Sequence, residues 1–266
     1  MIIILEQIQN KLYFASINDK IYIDQNILNY VDKFHNCRKN FDIVTKNYDY
    51  RKSTKCNYIS GMVSDNLEFI FPCYKIVEYL RHLTSGSYEG KLIENCTYLN
   101  YRLYYEIEKI KKNVEVTSQV YNEVIKGFTE HFDSEINICK GSMKNIERNE
   151  LEELKKLIEL HEKFNNFLKN EYKAGDKNCI YGTECVNTYL TYIQDCYYDY
   201  DRSFCKSLEK FREEYNDEAL HVINCEEVSR NLPPIKKGSR ATAIMVLILF
   251  STLTPFSVVF LLYKVK

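Results

Sequence analysis

The chain has 266 residues and a formal net charge of −1, which excludes the bulk electrostatic attraction that nucleic-acid binding needs. Eight glycines and four prolines are few for this length; with abundant Lys, Glu, Leu and Ile they predict long helices and few hairpins. Twenty-three tyrosines without a tryptophan, alongside many Asn and Lys, carry the bias of an A/T-rich coding sequence.

Taken in order, Met1–Leu5 is apolar but ends at Glu6, with no basic region before it, and is too short for a secretory leader. Residues 1–22 give no clear element, although Ile21-Tyr22-Ile23 is strand-like or leads into a helix. From Asp24, the three- and four-residue steps of Ile27, Tyr30, Val31 and Phe34 predict a helix that stops near Cys37. Residues 38–64 read as a polar loop with a short helix at most, closed by Ser60-Gly61. A helix then starts at Phe71-Pro72, with Tyr74, Val77 and Leu80 on one face, and ends at Thr84–Ser87.

Residues 91–112 give a stronger signal, because Leu92, Cys96, Leu99, Leu103, Ile107 and Ile110 recur every three or four positions. Tyr98, Tyr101, Tyr104 and Tyr105 spread around this stripe, either packing between helices or forming a binding surface. Val120, Val124, Ile125 and Phe128 mark the next helix, ending near Gly127 or soon after. A mixed connection over 130–148 leads to the longest helix, 149–172. Its apolar face includes Leu151, Leu154, Leu157, Ile158, His161 and Phe164. Its opposite face predicts the ion pairs Glu152–Lys156 and Glu159–Lys163 rather than acid–base chemistry. After a break at Ala174-Gly175-Asp176, Val186, Tyr189, Leu190 and Ile193 trace one short helix. Phe204, Leu208, Phe211 and Tyr215 trace another, capped by Asp201 or Ser203, and the two form a compact hairpin.

Ala241–Tyr263 has 23 positions without a charge. As a helix it would extend roughly 34 Å, enough to cross a hydrocarbon core of about 30 Å. The fold class that follows is mainly α: a cysteine-containing helical domain followed by a single C-terminal transmembrane helix. The domain takes residues 1–225, a stalk 226–240, the membrane helix 241–263 and a short tail 264–266. The bilayer is the first partner implied.

All ten cysteines precede that segment: Cys37, Cys56, Cys73, Cys96, Cys139, Cys179, Cys185, Cys196, Cys205 and Cys225. An even number on one side of a membrane segment suits disulfides in an oxidising space; the other reading is free thiols packed as small apolar groups in a reducing one. One sequence does not fix their connectivity, though Cys225 is placed to tie the exit segment back to the Cys179–Cys205 region. No C-x-x-C occurs, and no paired Cys/His spacing supports zinc. Basic flanks, Lys236, Lys237 and Arg240 before the apolar stretch against Lys264 and Lys266 after it, lean towards a cytosolic domain. Charge and cysteines therefore point to opposite sides of the membrane.

Motifs for nucleotide binding, zinc proteolysis and serine hydrolysis are absent. The five histidines are scattered, and His161 on an apolar stripe reads as a core-edge residue. Asn95-Cys96-Thr97 fits a glycosylation sequon, but its cysteine lies on the buried stripe. No catalytic residue, cofactor, metal or small-molecule substrate is expected.

Two blocks carry a family resemblance. Cys96-Thr97-Tyr98-Leu99-Asn100-Tyr101-Arg102-Leu103-Tyr104 resembles the Cys-x-Tyr-Leu-Asn-Tyr-Trp-Leu-Tyr signature of the Plasmodium interspersed repeat (PIR) proteins, VIR-like branch, with Arg102 in place of Trp. Phe204-Cys205-Lys206-Ser207-Leu208-Glu209-Lys210-Phe211 and the following residues to Tyr215 are similar to that family's Cys-x-x-Leu-x-x-Phe-x-x-x-Tyr segment, and Cys73 with its helix fits a third block. The resemblance implies a non-enzymatic variant antigen of malaria parasites, exported to the infected red-cell membrane or the parasite surface. Antigenic variation, immune evasion and adhesion are the implied roles, with host receptors or antibodies as partners. It also implies an outward-facing helical domain without a standard leader. The alternative is an internal membrane-anchored trafficking or scaffolding protein with a cytosolic helical domain.

Overall fold

The computed structural model describes residues 26–47, 55–86, 91–169, 177–222 and 225–236. The expected membrane helix Ala241–Tyr263, its tail, the last part of the stalk, the break at 174–176 and everything before Asn26 lie outside the described residues. Within them the regular elements are all helical, and no helix is long and apolar enough to cross a membrane.

Asn26 begins the first element by accepting a 2.9 Å hydrogen bond from the Leu28 amide on its side-chain oxygen. A 3-10 helix, Ile27–Lys33, runs directly into α1, Phe34–Val44. The helix continues past Cys37, where the periodic signal fades, because Phe41 repeats the buried stripe of Ile27, Leu28, Val31, Phe34 and Cys37. Ile43 in the same turn is 74% exposed and hides that repeat in the sequence. The short helix allowed within 38–64 is α2, Cys56–Val63. It holds Ser60-Gly61 inside a helix because Cys56, Ile59, Ser60 and Val63 are buried together. That burial outweighs a glycine cost of about 1 kcal/mol.

The helix α3, Ile70–Thr84, and α4, Leu92–Lys111, follow as the spacing predicts. Lys112 ends α4 in the left-handed region at φ 56°, and Asn113 then caps α5, Val114–His131, by accepting from the amides of Glu115 and Val116. Gly127 lies inside α5, which ends soon after it. It lets α5 approach α2: a Cβ there would stand 3.1 Å from Met62 Sδ and 3.4 Å from Ile59 Cγ1. A short turn, α6, Asp133–Ile136, and a 3-10 turn, Asn137–Cys139, complete the connection to α7, Arg148–Leu168.

Along α7, Leu151, Leu154, Leu157, Leu160, Phe164 and Phe167 are buried. The predicted Glu159–Lys163 pair forms at 2.6 Å. The predicted Glu152–Lys156 pair does not, because Glu152 takes Arg148 at 3.4 Å and Lys156 reaches across to Asp195 at 2.7 Å. The two last helices are α8, Lys177–Tyr192, extended by a 3-10 turn Ile193–Cys196, and α9, Ser203–Glu218. Both pack on α7. Neither Asp201 nor Ser203 caps α9; the N-cap is Arg202, whose guanidinium instead binds Glu153 of α7 at 3.1 Å and the Asp195 carbonyl at 2.9 Å.

The layout follows from what the first helical rod touches. The 27–44 rod lies between α4 on one side and α7 and α9 on the other, so it joins an early group of helices to a late one in a continuous core. Residues 225–236 form a strap laid on the domain, although 226–240 are expected as a stalk. Val228, Leu232 and Ile235 are buried, and their polar backbone is held by Tyr215 Oη to the Ser229 carbonyl at 2.7 Å and Tyr189 Oη to the Pro233 carbonyl at 2.8 Å. Asn216 accepts from the Leu232 amide at 2.6 Å.

Candidate functional site

Two features stand out beyond the core: the cross-linked frame and one cleft. The frame comes from eight of the ten candidate cysteines. Cys56–Cys73 joins α2 to α3, and Cys96–Cys139 joins the first turn of α4 to the 3-10 turn after α6. Cys196–Cys205 closes the turn from α8 to α9, and Cys179–Cys225 ties the start of α8 to the strap. Cys37 and Cys185 are the exceptions to the all-disulfide expectation. Both are buried free thiols, and burial pushes each thiol up to about 12, so they pack as apolar groups with little thiolate.

The sequon is built into this frame rather than displayed. Asn95 is 5% exposed, accepts from Tyr79 Oη at 2.6 Å and donates to the Lys91 carbonyl at 2.7 Å. Its neighbour Cys96 is in a disulfide.

The cleft opens where the 27–44 rod, α4 and α7 meet, and has a volume of about 220 Å³. The rod contributes Phe34, His35 and Arg38; α4 contributes Tyr98, Tyr101, Arg102 and Tyr105; α7 contributes Ile158, His161 and Glu162. Helical spacing explains each set, since residues three or four apart share a face. Phe34 stacks with Tyr101 at a 5.6 Å centroid distance and meets Tyr98 edge-on at 5.4 Å. Burial pushes the Tyr98 and Tyr101 phenols well above their ordinary value, so both hydroxyls keep their protons.

Arg102 of α4 stands where the resembled signature carries Trp. Its guanidinium lies 5.6 Å from the centroid of Phe41 and 5.8 Å from that of Tyr105, and it pairs with Glu106 at 2.5 Å. A planar cation between two aromatic rings fills an aromatic seat while adding a charge. Arg38 and Glu162 form an ion pair across the mouth, both about half exposed. His161 is 6% exposed, with its ring edge-to-face on Phe211 at 5.0 Å. Burial holds its imidazole down at about pKa 4, so it is neutral. Burial also lowers His35, with Lys39 and Arg38 adding to the effect.

Sequence reasoning found the tyrosines and His161 separately, but not their meeting with Phe34, Arg38 and Glu162. The one available signal was a histidine on an otherwise apolar stripe. Among the described residues, no group of three or more His, Cys, Asp or Glu side chains is placed to hold a metal ion.

Seven of the nine residues of the 96–104 block have structural tasks. Cys96 cross-links, Leu99 and Leu103 are buried, and Asn100 accepts from Tyr121 Oη while donating to the Lys144 carbonyl at 2.9 Å. Tyr98, Tyr101 and Arg102 face the cleft. The family model described as Plasmodium vivax Vir protein matches residues 39–247.

The chain belongs to the Vir protein family.

No curated protein and no solved structure matches the chain. The Vir match begins inside α1 and takes in the later helices, all four disulfides and the strap. It ends at Leu247, within the apolar stretch that starts at Ala241. The packed 3-10 segment Ile27–Lys33 lies before the Vir match.

Proposed function

We propose that this Vir protein is a non-enzymatic variant antigen, anchored by Ala241–Tyr263 and displaying its disulfide-bonded helical domain on the outward side of a membrane. Antigenic variation, immune evasion or adhesion to host receptors is its role on this reading, at the infected red-cell membrane or the parasite surface. The observation that carries it is the four disulfides, all on one side of the apolar stretch, because such bonds persist in oxidising compartments. Family membership supports the antigen reading. Large apolar side chains left in solvent, such as Tyr198 at 76% and Phe71 at 61% exposure, supply contact surface.

Thiol counting tests the placement. In protein taken from its native membrane and unfolded under non-reducing conditions, alkylation should modify two cysteines, Cys37 and Cys185, rising to ten after reduction. Ten reactive cysteines without reduction would favour the cytosolic scaffolding reading that the basic flanks suggest. Protease treatment of intact infected cells should also remove the domain; full protection would count against outward display.

A further inference from the structure

We propose that the cleft between the 27–44 rod, α4 and α7 binds one small aromatic carboxylate, its ring against Phe34, Tyr98 and Tyr101 and its acid group on Arg38 and Arg102. The inference does not depend on which side of a membrane the domain occupies.

Size selects the class first. A dry cavity of about 150 Å³ admits a benzene-sized molecule. The cleft, at about 220 Å³, fits one aromatic ring system with a short polar substituent. The wall facing that ring is itself aromatic, with offset and edge-on partners already in place at 5.4 and 5.6 Å.

Hydrogen-bond chemistry selects the acid group. Tyr98, Tyr101 and Tyr105 bring three phenolic donors, and none of these hydroxyls is hydrogen-bonded among the described residues. Arg38 commits Nη1 to Glu162 and Arg102 commits Nη2 to Glu106, which leaves guanidinium donors over on both. The only acidic lining residue is Glu162, already paired with Arg38. A donor-rich site with two cations calls for an acceptor-rich anion, and the planar guanidinium fork suits a carboxylate.

His161 is the second, independent observation. It is a nine-tenths buried polar ring lining the cleft, with no hydrogen-bond partner for its side chain among the described residues. Its ring nitrogens are not among the fully buried atoms left without a partner, so they open to the cleft, where a neutral imidazole offers one N–H and one lone pair. A substituent reaching the floor of the cleft would use one of them. Such a partner also explains a histidine kept on a stripe of leucines and phenylalanines.

The test uses the full chain in detergent with anthranilate as a fluorescent probe, benzamide as its neutral counterpart and acetate as the bare acid. Saturable binding at one site per chain is expected. Benzamide should bind at least about tenfold more weakly, because it loses the charge-assisted bonds. Acetate should compete poorly. Arg38→Gln, at a half-exposed position that spares the core, should weaken anthranilate by about tenfold, and Ile158→Trp should abolish binding by filling the cleft. Circular dichroism establishes that each variant is folded. Equal uptake by the parent and Ile158→Trp would mean partition into detergent and would overturn the proposal. Equal affinity for benzamide would remove the acid half, and acetate competing as well as anthranilate would remove the aromatic half.

Discussion

The hydroxyl of Ser207 donates a 3.0 Å hydrogen bond to the carbonyl oxygen of Leu28, 179 residues earlier in the chain. Both partners are buried, and one turn further along α9 Lys210 pairs with Asp32 at 2.9 Å. Burial alone would raise the Asp32 carboxyl, but hydrogen bonds and charge from Lys33 and Lys210 outweigh it and hold the group below its ordinary value. These contacts fasten the last helix to the first. Ser207→Ala should therefore destabilise the chain by about 1 kcal/mol, the usual worth of one such bond. Urea unfolding of both proteins measures this, and an unchanged midpoint would mean that the Ser207 bond adds nothing to the hold on the rod.

His161 gives the domain a pH dependence whose direction follows from its buried, neutral state. Its folded value of about 4 lies below the ordinary 6.5, so the unfolded chain takes up the proton first as pH falls. The stability it confers is complete above about pH 6.5, declines towards about pH 4 and is level below that. The full loss is at most about 3.5 kcal/mol for a shift of this size. His161→Phe retains a ring against Phe211 and should flatten the decline between pH 6.5 and 4. Unfolding midpoints of parent and variant across that window, superimposing within error, would contradict a buried neutral imidazole.

The nested disulfides differ in what they restrain. Cys179–Cys225 spans 46 residues, whereas Cys196–Cys205 spans 9. Chain entropy assigns about 4 kcal/mol to the wider loop and about 2.5 to the narrower. Replacing the first pair by serine should lower the thermal midpoint more than replacing the second, and should release the strap to limited proteolysis near Val228. The reverse order of midpoints would show that the strap is held by its buried side chains and hydrogen bonds rather than by the cross-link.

Gly182 in α8 marks where the strap passes closest. A Cβ there would stand 2.7 Å from the Phe167 ring and 2.9 Å from Val228 Cγ1, both buried. Gly182→Ala should cost about 1–2 kcal/mol, since overpacking exceeds the gain in helix propensity. Gly61→Ala in α2 meets nothing within 4 Å and should stabilise by up to about 1 kcal/mol. Calorimetry of the two variants should give shifts of opposite sign; a stabilised Gly182→Ala would mean that the strap moves aside freely.

Periodicity made α3, α4, α7 and α9 legible, because a buried stripe at Leu99, Leu154 or Phe211 recurs at the helical period whatever it packs against. It failed where a helix buries one residue per turn, as with Phe41 in α1. It also failed at Ser60-Gly61, read as closing a loop, because a small polar pair carries no apolar signal although Ser60 is buried in α2. The 96–104 block was legible as a family mark, but the work of Asn100 and Arg102 was not, because their partners Tyr121, Lys144 and Phe41 are remote in sequence.

By itself the sequence determined a mainly α chain, its helix faces, its cysteine supply, its Vir membership and an apolar stretch of membrane-spanning length. Those are local properties, set by the identity and spacing of neighbours. Only the tertiary structure decided that Cys37 and Cys185 stay thiols, that residues 225–236 are a strap, and that His161 meets Tyr98 and Tyr101 in one cleft. Each of these depends on which buried faces meet, and many alternative pairings of equally apolar stripes would satisfy the same sequence pattern. Shape and hydrogen-bond fit in the core select among them, as in the contact that brings Ser207 to Leu28.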